Sequence, residues 1–152
     1  MAIATATLTV TVSEDITLNG SSQGSSNVLT VTGVNDIYKR IITIPTSEIT
    51  LYTTHATTVE GSIFDKDLVR YVRITNKDAA NFVSVRLKDG VGAGDEFIYK
   101  LKAGESFLLY SHAGSMSAAL GATAGAANGD IVSIKVQADT DPCDCEIFIA
   151  SV

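Results

Sequence analysis

Apolar and polar positions alternate with a period of two along most of this chain, the spacing of strands with one covered and one open face. The regularity begins at the N-terminus. Within 2–12, Leu8, Val10 and Val12 fall on one face and Thr7, Thr9 and Thr11 on the other. A long strand is predicted there, its threonine face meeting water or a neighbouring chain. Ser13-Glu14-Asp15 turns it, and Ile16-Thr17-Leu18 reads as a short return strand. Residues 19–27 have the Ser, Gly and Asn composition of a flexible loop. Further strands are predicted over 28–34, 38–45 and 47–54, with Pro45 marking a strand end or a sheet edge.

The densest run lies at 68–110. Four strands are predicted there, over 68–75, 82–87, 96–101 and 105–110. The polar turn 76–81, the glycine-rich loop 88–95 and the tight turn Lys102-Ala103-Gly104 join them. Residues 111–129 are small, and Gly114, Gly121, Gly125 and Gly129 count against a helix, so a long loop with a short strand near 116–120 is predicted. Strands over 130–138 and 145–152, around the turn 139–144, close the chain. Roughly ten short strands without a substantial helix define an all-β antiparallel β-sandwich or jelly roll. At 152 residues, one domain over 1–152 is expected, with 1–12 as a docking arm or edge strand.

Charge narrows the partners. Charged residues make up only 18% of the chain and the net charge is −6, with no cluster of Lys and Arg. Nucleic acid and anionic membranes are therefore not expected as partners. No apolar run approaches the roughly 18 residues of a membrane span. The N-terminus lacks a basic segment followed by an apolar core, so no secretory signal is expected. Low charge with abundant Thr, Ser and Ala suits a surface partly covered by other subunits. Cys143 and Cys145, one residue apart, would point to the same side of a strand, where a disulfide between them would be strained. Two reduced thiols in a protein folded in the cytosol are expected.

Candidate chemistry is sparse. His55 and His112 are the only imidazoles, and neither lies in a nucleophile elbow. Gly90-Val91-Gly92-Ala93-Gly94 lacks the Lys-Ser/Thr of a phosphate loop. Asp139, Asp141, Asp144 and Glu146 form an acidic turn that could hold Ca²⁺, as could the pairs Asp65/Asp67 and Asp89/Asp95, but none follows an EF-hand spacing. Sugar binding would need exposed aromatic platforms. The chain has no Trp, and Tyr38, Tyr52, Tyr71, Tyr99 and Tyr110 are interleaved with strand residues, most of them expected as core or cross-strand partners. No catalytic, cofactor-binding or metal-ligating residue is assigned, and no cofactor is expected.

Two stretches carry a resemblance. One is Arg70-Tyr71-Val72-Arg73-Ile74-Thr75-Asn76 followed by Asn81-Phe82-Val83-Ser84-Val85-Arg86-Leu87. The other is Glu96-Phe97-Ile98-Tyr99-Lys100-Leu101-Lys102-Ala103-Gly104-Glu105-Ser106-Phe107-Leu108-Leu109. A strand ending in Asn-x-Asp, then a Leu-x-Ala-Gly-Glu hairpin leading to a Leu/Phe strand, resembles small virion structural proteins of tailed bacteriophages, over about 68–152. The resemblance implies a non-enzymatic capsid decoration (cement) protein that docks on the assembled head, with the major capsid protein or other virion proteins as partners. It also implies a homotrimer or other homo-oligomer, assembled into the virion in the host cytoplasm. The competing expectation is a tail, neck or fibre component, with host-glycan binding as its adhesive function. In either case the functional surface is expected at 2–12, 19–27 and 111–129.

Overall fold

The computed structural model describes residues 4–55, 64–65, 67–89, 96–118 and 129–152. Among these the chain is all-β, without a helix. Ten strands exceed two residues: β1 (Ala6–Glu14), β4 (Ser25–Val34), β5 (Asp36–Ile44), β6 (Ile49–His55), β8 (Val69–Asn76), β9 (Val83–Asp89), β10 (Glu96–Leu101), β11 (Ser106–Tyr110), β13 (Gly129–Ala138) and β14 (Cys143–Ser151). Four are two-residue pairings: β2 (Thr17–Leu18), β3 (Ser21–Ser22), β7 (Phe64–Asp65) and β12 (Ser117–Ala118).

Eight of these strands form a two-sheet sandwich. One sheet runs β5-β14-β8-β11, and the other β10-β9-β13-β6, with β7 beside β6 and β12 on β13. All pairings among the eight are antiparallel. This interleaved order is that of a jelly roll. Pro45 stands where predicted, directly after the edge strand β5. Core side chains come from alternate positions of both sheets. Ile44, Val72, Ile74, Ile147 and Ile149 from one meet Val83, Val85, Leu101, Ile134 and Val136 from the other, all essentially solvent-free.

The run 68–110 is not a meander. β8 and β11 pair in one sheet, β9 and β10 in the other, so only 88–95 joins hairpin partners. The turns 76–81 and 102–105 cross between sheets. The Lys102-Ala103-Gly104 turn, predicted as a hairpin, is a sheet-to-sheet corner. The physical reason is that the two corners lock together around one residue. Asn76, fully buried, donates through Nδ2 to the carbonyls of Asn81 (2.9 Å) and Leu101 (3.3 Å), and its Oδ1 accepts from the Asp78 amide (3.0 Å). Its backbone N–H donates to the Glu105 carbonyl and its carbonyl accepts from the Gly104 amide, both at 3.0 Å. Gly104 adopts φ 76°, a conformation that a side chain would strain. The residues that carry the resemblance thus build a structural corner.

The N-terminal fifth of the chain departs from the sandwich. β1 pairs only with β4, in a two-stranded antiparallel ribbon. The strand expected within 2–12 is β1, and with β4 it makes a two-stranded ribbon over 6–34. The flexible loop predicted at 19–27 is corrected. Asn19 (φ 52°) and Gly20 (φ 79°) form a tight turn with both central residues left-handed, closing β2 on β3. This is the backbone that Asn-Gly favours in a two-residue hairpin. At Gly24 the strands approach so closely that a Cβ would run into the Glu14 carbonyl oxygen.

Candidate docking surface

The ribbon has a base and a tip, and their environments differ. At the base, Ala6 pairs with Val34 but Leu8 with Val31, so β4 carries one extra residue. Gly33, at φ 77°, supplies the left-handed step of this bulge. The bulge breaks the period of two and turns both Val31 and Val34 onto the outer face of the β5-β14-β8-β11 sheet. There they pack with Leu8 and Val10 against Tyr71, Phe148, Ala150 and Tyr110. Full burial of a valine stabilises by about 1.5–3 kcal/mol, enough to fasten the base. Tyr110 Oη donates to the Thr30 carbonyl (3.3 Å), and the Asn35 amide donates to the Ser151 carbonyl (3.0 Å). Beneath the roof of the arm, Arg73 pairs with Glu146, whose carboxyl is held below the usual range by the Arg73 hydrogen bond.

Past Val10 nothing among the described residues covers the ribbon. Every residue from Thr11 to Val28 is exposed. Apolar side chains stand among them: Val28 is 60% exposed, Leu18 61%, Ile16 54% and Val12 41%. Glu14 and Asp15 add negative charge, and Glu14 accepts a hydrogen bond from Ser25 Oγ at 2.8 Å. A two-stranded hairpin is marginal in water on its own. Nine residues of β1 reach about 30 Å at the rise of a strand. The geometry is that of a ribbon anchored at its base and exposed at its tip.

A second open surface is the edge of the other sheet. β10 is the last strand of its sheet, and Glu96 through Lys100 are all exposed. Phe97 and Tyr99 stack with centroids 6.5 Å apart, and Tyr99 touches Phe107 across the open side of the sandwich. Glu96 pairs with Arg86 (3.2 Å), and Lys100 lies 3.8 Å above the Phe82 ring.

The remaining sequence candidates do not converge. His112 is exposed and its Nδ1 lies 3.5 Å from Tyr110 Oη. His55 ends β6, and its side chain lies outside the described residues, as do Gly90 to Gly94, the Asp89 side chain and Asp95. Among the described residues no three His, Cys, Asp or Glu side chains are grouped to hold a metal. In the acidic turn, Asp144 accepts from Thr43 Oγ1 (2.7 Å) and Glu146 is taken by Arg73. Asp65 Oδ1 accepts the Asp67 amide (2.9 Å), a local turn. Cys143 and Cys145 do share one side of β14, facing the core, as free thiols, and burial pushes the Cys145 thiol up to about 12. Of the tyrosines, Tyr52 and Tyr71 are buried, Tyr38 and Tyr110 half-buried, and Tyr99 exposed. Within 111–129, β12 matches the predicted short strand, and 119–128 lie outside the described residues.

Sequence reasoning missed the apolar tip and the open β10 edge. Asn19-Gly20 was the available signal for the first, masked by the serines around it. No family model matches the chain, and neither the curated proteins nor the solved structures supply a match.

Proposed function

We propose that this chain is a non-enzymatic structural subunit of a tailed-phage particle, a capsid decoration (cement) protein that docks on the assembled head. The observation that carries the reading is the ribbon arm, fastened at its base and uncovered at its tip. A jelly roll serves capsid subunits, lectins and cupins alike, so the fold alone assigns nothing. The arm is a different matter. Its regular ladder of backbone hydrogen bonds and its isoleucine, leucine and valines suit insertion along a seam between shell subunits, where strand edges and apolar side chains meet. Such a ligand binds the assembled shell and not its separate subunits, and so stabilises the shell by mass action.

The test uses heads that lack this chain, from the phage whose genome carries it. A clipped variant replaces 12–27 with Asn-Gly, joining Thr11 to Val28, which face each other across the ribbon. This keeps the base packed, whereas deletion of 1–12 would leave β4 without its partner strand. The intact chain should co-sediment with heads and raise their resistance to heat. The clipped chain should do neither while unfolding like the parent. Equal binding by both overturns the arm as the docking element, and failure of the intact chain to bind heads overturns the decoration reading. One observation favours the tail or fibre alternative: the stacked, exposed Phe97 and Tyr99 resemble a small aromatic platform. Binding to a glycan array, lost in Tyr99→Ala, would support that alternative.

A further inference from the structure

We infer that two copies of this chain join edge to edge through β10, making one continuous sheet about a two-fold axis at Ile98. The starting point is that this edge carries few of the usual guards. Natural edge strands are blunted by bulges, prolines, very short length or charged side chains, and of these β10 has only Glu96 and Lys100 at its flanks. β10 has six residues, no proline, and an unbroken register with β9. Its centre is apolar and open, with Phe97 44%, Ile98 57% and Tyr99 39% exposed. Among the described residues no strand pairs with its outer side.

The choice of a second copy as occupant comes from the order Glu96-Phe97-Ile98-Tyr99-Lys100, which is self-complementary. In an antiparallel pair, residues directly opposite each other share a face of the sheet. A two-fold axis normal to the sheet must therefore pass through a residue, not between residues. Placed on Ile98, it sets Glu96 against the other copy's Lys100, Phe97 against Tyr99, and Ile98 against Ile98. Opposite charges, aromatic pairs and apolar side chains all meet their like-faced counterparts. The Leu101 side chain is buried, so Phe97 and Tyr99 lie on the core-facing side and Glu96, Ile98 and Lys100 on the outer one. Moving the axis to Phe97 puts Glu96 against Ile98, and moving it to Tyr99 puts Lys100 against Ile98. Only the Ile98 register pairs the charges. The contact is isologous and closes as a dimer, with no free β10 edge left to continue into a fibre. It uses a face remote in sequence from the arm and stands whether or not the arm docks on a particle.

The test is molar mass by light scattering over a concentration series. The intact chain should run at twice the single-chain mass. Ile98→Lys and Glu96→Lys should each fall to the single-chain mass, and the exchange Glu96→Lys with Lys100→Glu should recover the dimer. That recovery separates the contact from folding, because the exchanged pair still lacks the Arg86–Glu96 bridge within the chain. Ile98→Cys should give a disulfide-linked dimer under mild oxidation, the native thiols being buried. The arm-clipped chain should remain dimeric. A single-chain mass at every concentration, a three-chain mass, or an oligomer that Ile98→Lys leaves intact would each overturn the inference.

Discussion

The β1–β4 ribbon and the β8–β14 pair have nearly the same ladder and opposite circumstances. Both are antiparallel, both are paired over seven or eight positions, and each has a bulge near one end. In β8–β14 the inward residues Val72, Ile74, Ile147 and Ile149 are solvent-free against the second sheet, while the outer face is partly roofed by the arm. In the ribbon, the base has one covered face and, among the described residues, the tip has none. A backbone hydrogen bond contributes only about 0.5–1.5 kcal/mol net, because water satisfies the same groups in the unfolded chain. The difference therefore lies in the third layer. A strand pair becomes part of the closed fold where something covers it, and stays an open ladder where nothing does.

The sharpest break in this comparison is a matched pair of truncations. Ile147→Ala should cost about 2–5 kcal/mol in urea unfolding, since it opens a cavity in a closed interior. Leu18→Ala should stay within about 0.5 kcal/mol, its side chain being 61% exposed. An equal cost for both would mean that the tip is covered within the single chain. Next in size, Asn76→Ala should cost about 1–3 kcal/mol for each buried group it leaves unpaired, with the Leu101 carbonyl the most enclosed. The same measurement shows whether the two corners act as one unit.

Gly24→Ala should move only the ribbon. The added methyl meets the Glu14 carbonyl, so amide exchange over 11–28 should speed up while the unfolding midpoint of the sandwich holds. The smallest effect is electrostatic. Asp78 Oδ1 accepts from the amides of Asn81 (2.6 Å) and Ala80 (2.8 Å), and these bonds hold its carboxyl below the ordinary aspartate value of 3.8. The folded value lies below the unfolded one, so this contribution is present above pH 3.8 and is lost as pH falls through the folded value. Asp78→Asn should therefore narrow its gap from the parent as the pH is lowered through that window, read from thermal midpoints.

Much of the fold was legible from local pattern. Period-two alternation placed most strands within a few residues, and the all-β class followed. The acidic turn before β14, the strand end at Pro45 and the shared side of Cys143 and Cys145 are likewise local matters, set by φ restriction and by the pleat. The Ser/Gly tract was misread because its composition outweighed the Asn19-Gly20 turn inside it. Part of the ribbon tip was visible as alternation, but alternation says which residues share a face and not whether that face is covered.

Local pattern in the amino-acid sequence was enough to set out short antiparallel strands joined by polar and glycine-rich turns, with an N-terminal strand of strict periodicity. Tertiary structure decided which strands neighbour each other, turning the apparent meander of 68–110 into two sheets. It also decided where cover runs out, at Val10 on the arm and at β10 on the sheet edge. The reason is that strand period is a property of a few adjacent residues. Sheet partnership and burial depend on contacts between residues far apart in the chain, such as Asn76 with Leu101 and Val31 with Tyr71.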